Sequence, residues 1–265
     1  MTHAIDLVGR NIPSKRSEQP ASVAKTKRAL VLAREIVGDI EANAHGPGDR
    51  LPQEEEMLAR YEVARATLRE ALRFLELQGV IHLQAGRGGG PVVARPKAAN
   101  FASSMALILQ FMDTDLAALL ELRESIAPAV AAGAAKHATI ADLAALQDCL
   151  SRLERERDTP QFEETNRRFH DLLGWASGNP TFGLLVSALH LLTRNMSETL
   201  GYSPQERDSQ LRCLRRVLDA VRLRDAAGAR KQIQRLTAGS TQYLAARSPA
   251  LLAQKVRWVD AATSI

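Results

Sequence analysis

Along residues 26–95 the spacing of apolar positions changes from helical to alternating. Ala29, Leu32, Ala33, Ile36 and Ile40 recur at helical spacing, predicting a first helix from Thr26 to Ala42, which Gly46, Pro47 and Gly48 then break. Leu68, Leu72 and Leu75 mark the apolar stripe of a later helix that Gly79 ends, and Arg65, Arg69 and Arg73 recur every fourth residue on the same helix. At about 100° per residue the arginines stand roughly a quarter turn from the leucines. One stripe can therefore face a core while the other meets an anionic surface, phosphates and base edges included. Val80 to Gln84 and Pro91 to Ala94 then read as two short strands around a glycine-rich turn, Ala85 to Gly90. Leu51 to Val93 thus reads as two helices joined by a tight connection and followed by a glycine-rich hairpin, which predicts a winged helix-turn-helix.

After a short linker around Pro96 the pattern becomes entirely helical, with segments expected at 100–111, 114–137, 140–156, 160–177, 180–200, 204–223 and 225–246. Thr114 and Asn179 have side chains suited to cap helix starts, and Pro180 suits a first helical position. The expected fold is mainly α: a winged helix-turn-helix followed by an all-helical antiparallel bundle. The expected boundaries are an N-terminal arm over 1–24, a winged domain over 25–95, a linker over 96–99, a helical domain over 100–247 and a tail over 248–265. The arm is read as disordered by default, with DNA contact as the alternative.

The winged segment resembles the DNA-binding domain of the GntR family of bacterial transcription regulators. The resemblance rests on Gly48, Asp49, Arg50, Leu51 and Pro52, on Glu54 to Glu56, on Val63 to Arg65, on Thr67 to Leu72, and on Gly79 and Gly86 to Gly89. It implies operator contacts at Glu55, Ala64, Arg65, Ala66, Thr67, Arg69, Ala85 and Gly86, with Arg87 adding charge at the wing tip. Arg65 and Arg69 are expected in the groove, Thr67 on a backbone phosphate, and Gly86 where the wing must come close. Two positions depart from the family pattern. Glu55 stands where a basic residue is frequent, and Ala64 stands where a hydroxyl is usual, so the preferred operator sequence is expected to differ from that of better-known relatives.

In the helical half, Arg123 falls in the middle of the apolar stripe formed by Leu116, Leu119, Leu120, Ala127 and Val130. A guanidinium aimed into a core needs an anion. Three readings stay open: an internal carboxylate such as Glu163, a stem that snorkels to water, or a bidentate grip on the carboxylate of a small bound acid. This half resembles the FCD effector-binding domain of the same family, through Glu121, Leu122 and Arg123, Phe169 and His170, and Gly178, Asn179 and Pro180.

In many members an aspartate, a histidine four residues later and two further histidines hold a divalent metal. Here those positions fall on Asn166, His170, Leu214 and Leu236. Two leucines, an amide and one imidazole do not supply three or four good donors, so no metal or other cofactor is expected. Asn166 and His170 are instead expected to line an effector cavity made more apolar by Leu214 and Leu236, with Arg194 as a further anion contact. For His170 a satisfied, partly buried packing role is the alternative, and His190 and Trp175 are read as packing.

Composition narrows the partners. The chain has 265 residues and a net charge of +5, yet residues 1–96 carry 14 basic against 12 acidic side chains. Any contact with nucleic acid therefore depends on where charges lie rather than on their sum. The cysteines are Cys149 and Cys213, without a CxxC pair, which argues against a disulfide scaffold or zinc finger and for a reducing cytoplasm. No apolar run fits a signal peptide or membrane span, and no paired acid and base or activated nucleophile suggests an enzyme.

The expected function is a homodimeric repressor of a catabolic operon, bound to a pseudo-palindromic double-stranded operator and released by a small carboxylic acid. An activator, or a constitutive dimeric DNA-binding protein whose helical half takes no effector, is the alternative.

Overall fold

The structure is a computed structural model that describes residues 21–86, 89–194 and 202–258. The chain divides into two compact units, Met1–Arg95 and Pro96–Ile265.

In the first unit α1 (Ala21–Ala42) buries the expected stripe, with Ala29, Leu32, Ala33, Ile36 and Ile40 all in the core. The helix begins inside the stretch read as an arm; residues 1–20 lie outside the described residues. Gly48, at a φ of +99°, then turns the chain. Helix α2 (Glu54–Tyr61) starts where the Glu56 carboxylate accepts the Gln53 N–H at 3.3 Å, and Glu62, left-handed at a φ of +50°, closes it.

Helix α3 (Arg65–Leu77) buries Leu68, Ala71, Leu72 and Leu75 against α1. It stops in a Schellman turn: Gly79 takes a φ of +73°, and Val80 N–H donates to the Leu75 carbonyl at 2.9 Å.

Strands β1 (Ile81–Gln84) and β2 (Gly90–Val93) pair antiparallel, Ile81 opposite Val93 and Gln84 opposite Gly90. The far side of β2 is covered by the Gly48 to Leu51 segment, where Leu51 N–H donates to Pro91 O and Val93 N–H to Asp49 O, both at 2.9 Å. That pairing occupies an edge that Pro91, lacking an N–H, serves poorly by itself.

The second unit is helical throughout its described secondary structure: α4 (Ala98–Phe111), α5 (Leu116–His137), α6 (Ile140–Arg155), α7 (Phe162–Trp175), α8 (Pro180–Leu192), α9 (Pro204–Arg222), α10 (Ala226–Arg247) and the short α11 (Pro249–Leu252). Asn179 caps α8 as expected, accepting from Thr181 N–H at 3.0 Å. Helix α5, however, is capped by Asp115, which accepts from Ala118 N–H at 3.1 Å. Thr114 instead gives its carbonyl to Val256 N–H at 3.0 Å.

The bundle packs α10 on both α5 and α9, and α7 on α8. Phe162, Phe169, Leu173, Val217 and Ile233 are fully buried or nearly so in its centre. Gly183 lets the Trp175 ring lie on α8, since a Cβ there would come within 2.4 Å of the indole.

The stretch after 247, read from sequence as a tail, is packed as far as it is described. Leu251 and Val256 are buried, and Leu116 N–H donates to Gln254 O at 3.0 Å. Trp258 ties back to α4 through its indole N–H on Ser103 Oγ at 2.9 Å. Among the described residues no helix is long and apolar enough to cross a membrane.

Candidate nucleic-acid interface and ligand cavity

Helix α3 presents Arg65, Arg69 and Arg73 to solvent beside its buried leucines. Arg65 and Arg69 share one carboxylate: Arg65 Nη1 lies 3.0 Å and Arg69 Nε 3.4 Å from Glu54 Oε1, with the two arginine side chains 56% and 64% exposed. Glu54 stands at the start of α2, so the α2–α3 turn places it beneath both guanidinium groups. By resemblance to the family, Glu55 is the acidic position of interest. Glu55 is also exposed, but it is Glu54 that touches the arginines, and nothing in linear spacing distinguishes the two before the turn is built.

Ala64 and Ala66 are exposed, and Ala64 stands at the N-cap of α3 with no side-chain bond to the free N–H groups there. Ala85 and Gly86 are exposed at the wing, Gly86 with a φ of +100°; Arg87 lies outside the described residues. A Cβ on Gly89 would lie 2.2 Å from Gln84 O, so the wing turn is closed by a glycine that has no substitute.

Thr67 departs from expectation. It is 5% exposed, on the inner face of α3 one turn before Ala71, and so points into the core rather than towards a phosphate.

The second unit holds a partly open cavity between its helices. Helix α5 contributes Leu120 and Arg123, and α7 contributes Glu163, Asn166, Arg167 and His170. His190 enters from α8, Tyr202 from just before α9, Gln210 from α9, and Leu236, Thr237 and Ser240 from α10.

Among the described residues, the buried Nε of Arg123 has no hydrogen-bond partner. Glu163 does not pair with it. That carboxylate accepts Tyr202 N–H at 3.4 Å, lies 3.9 Å from Arg207 Nη2, and is held above the ordinary carboxylate range chiefly by burial. His170 is pushed well below the usual imidazole value, first by burial and then by the neighbouring His190 and Arg123, so it faces the cavity as a neutral ring. His190 is fixed by Asp171, Nδ1 to Oδ1 at 2.7 Å, with its ring 5.8 Å from that of His170.

Asn166 Nδ2 donates to Gln210 Oε1 at 3.0 Å. Leu214 is fully buried in the core and is not a lining residue; Gln210, one turn earlier on α9, is what meets Asn166. Leu236 does line the cavity. Arg194 is half-buried after α8 and lies outside the lining, whereas Arg167, which no sequence pattern singles out, is part of it. Gln210 was missed because its helix reads as amphipathic whichever polar residue is taken to turn inward.

No group of three His, Cys, Asp or Glu side chains is close enough to hold a metal ion among the described residues. The positions where relatives carry metal ligands supply one imidazole and one amide, with leucine at the rest. That set does not fit a tightly held divalent cation.

Residues 29–89 match the family described as bacterial regulatory proteins, gntR family, and residues 118–239 match the FCD domain. The chain is 28% identical over 232 residues to the galactonate operon transcriptional repressor of Escherichia coli (strain K12), spanning 83% of this chain and 96% of that protein. It is also 28% identical over 189 residues to the HTH-type transcriptional repressor NanR of Salmonella newport (strain SL254), spanning 66% and 72% of the two chains. The solved structure of a GntR protein from Streptococcus agalactiae superposes with a TM-score of 0.66 at 21% identity, covering 81% of this chain and 99% of that one. With both domain matches in chain order and on the units that carry the wing and the cavity, the protein belongs to the GntR family of transcription regulators, in the branch with an FCD domain.

Proposed function

We propose that this regulator is a cytoplasmic, homodimeric repressor of a catabolic operon, bound to a pseudo-palindromic operator and released by a small carboxylic acid. The observation that carries the effector half of this reading is the buried Arg123 Nε without a partner in a cavity of the FCD domain. A buried guanidinium N–H left unsatisfied is costly, and a carboxylate supplies the missing acceptor together with the opposite charge. Relatives named as repressors, one of them of the galactonate operon, support both the sign of regulation and an acidic metabolite.

The DNA half rests on Arg65 and Arg69, exposed on one face of α3, with Ala64 and Ala66 letting the backbone come close and Gly86 doing the same at the wing. A single winged domain covers only a few base pairs, so useful affinity requires two copies on two half-sites. In this reading residues 25–95 bind DNA, and residues 100–247 bind effector and dimerise.

The test is thermal unfolding of the full chain against a panel of sugar, aromatic and dicarboxylic acids, followed by gel retardation on the DNA upstream of its own gene. An acid present at a hundredfold over its Kd adds about 2.7 kcal/mol of stability, and the same acid should release the retarded DNA. A panel that leaves melting unchanged rejects the effector reading and favours a constitutive DNA-binding protein.

Glu54 gives a second expectation. Its exposed pairs with Arg65 and Arg69 contribute little stability, about 0.2–1 kcal/mol each, but they hold both side chains in place and offset their charge. Glu54→Gln is expected to raise affinity for any duplex by roughly two- to fivefold while narrowing the operator-to-scrambled ratio. Equilibrium binding of both duplexes at two salt concentrations reads it, and an unchanged ratio removes Glu54 from the recognition surface.

A further inference from the structure

Asn166 and Gln210 form an open pair of amides. One bond joins them, Asn166 Nδ2 to Gln210 Oε1 at 3.0 Å. The reciprocal bond, Gln210 Nε2 to Asn166 Oδ1, is not made: among the described residues both of those atoms are buried without a hydrogen-bond partner. Gln210 is 1% exposed, and its Nε2 lies near the Tyr202 hydroxyl but outside hydrogen-bonding geometry with it.

Turning both amides over exchanges their roles and again leaves one donor and one acceptor, so the count does not depend on how each amide is oriented. Two buried, unsatisfied groups on amides that are bonded to each other and both line the cavity restrict what a guest there can offer them. The guest must accept one hydrogen bond and donate another, and it must be neutral, because the pair offers no charge. A hydroxyl does this with one atom. A second carboxylate has no proton for Asn166, and a methylene leaves both amides unpaired.

We infer that the effector is a hydroxy acid, its carboxylate on Arg123 and one hydroxyl bridging Gln210 Nε2 and Asn166 Oδ1, so that Asn166 and Gln210 set specificity where metal-binding relatives place ligands. The inference rests on the reading of this cavity as a carboxylate site. His170, one turn after Asn166 on α7 and neutral, adds one further donor and acceptor to the same wall, which suits an acid with more than one hydroxyl.

The experiment is calorimetric titration of the full-length protein with matched pairs of acids: gluconate and galactonate against their 2-deoxy and 3-deoxy analogues, and lactate against propionate. A hydroxy acid is expected to bind about ten- to a hundredfold more tightly than the deoxy analogue that lacks the bridging group, since that analogue leaves both amides unpaired. Gln210→Met, similar in volume and without the amide, should bring that ratio close to one. If Gln210→Met does not fold, Asn166→Leu is read in the same way.

Binding of acids with no preference for the hydroxyl overturns the inference and leaves the carboxylate reading standing; an ordered water occupying the amide pair gives this result. A preference that survives both substitutions places the hydroxyl elsewhere and also overturns it. If no acid of either kind binds, the carboxylate reading fails and takes the inference with it.

Discussion

Arg69→Ala is expected to retard its operator no better than a scrambled duplex of equal length. Arg69 sits in the middle of the exposed arginine stripe of α3 and reaches the carboxylate it shares with Arg65 over 3.4 Å, longer than the 3.0 Å from Arg65, so it is the more easily released onto a base. A bidentate arginine–guanine contact discriminates by about 1–3 kcal/mol. Two copies on a two-fold operator double that to about 2–6 kcal/mol, enough to erase most of the margin over non-specific DNA.

A competing account gives Arg69 a phosphate contact only. The variant would then weaken operator and scrambled DNA alike, and the salt slope would fall by about one for each lost phosphate contact. Titrating both duplexes across a salt series separates the two. Unchanged discrimination with a shallower slope assigns Arg69 to the backbone, and unchanged affinity throughout removes it from the interface. The fold is not at stake, because the side chain is 64% exposed and alanine is a good helix former.

The wing and the helix stripes were legible because each is a local rule. Leucines spaced along α3 can be buried together only on one face, and a glycine run between two short apolar segments closes only as a hairpin. What the sequence did not show are matters of which neighbour arrives. Thr67 belongs to the inner face of α3 by only a fraction of a turn, so a contact carried over from relatives landed on a buried residue. Asp115 and Thr114 are both capable caps, and the choice fell to Asp115 once the chain near Val256 took the Thr114 carbonyl.

The stretch after Arg247 offered no periodicity, so its packing against the start of α5 had no signature. In the cavity the family resemblance points to Leu214, but α9 turns Gln210 inward instead. The expectation for Arg123 is energetic rather than positional: a guanidinium on a buried stripe calls for an anion wherever the helix lies.

That demand sets the second large effect. Arg123→Ala is expected to bind operator DNA and fail to release it when the acid is added, leaving the operon shut off. Removing one partner of a buried, hydrogen-bonded charge pair costs about 2–5 kcal/mol of binding, which at ordinary metabolite levels leaves the cavity empty of acid. Arg123→Lys keeps the charge without the fork, so partial recovery by lysine measures how far bidentate geometry counts.

A merely structural role for Arg123 makes the opposite forecast. If its guanidinium braced the bundle, the alanine variant would melt earlier. A guanidinium whose buried Nε lacks a partner should instead cost stability, and its removal should leave melting of the acid-free protein unchanged or raised.

The imidazole of His170 reports on the same substitution. Burial is the larger cause of its depressed value and persists, while the repulsion from Arg123 is lost, so its titration should move part of the way back towards 6.5. Because coupling between effector and operator is reciprocal, wild-type protein held on its operator should bind the acid more weakly than free protein does, by the same factor that the acid weakens operator binding. An acid affinity that ignores operator DNA would mean that Arg123 binds a ligand without signalling it.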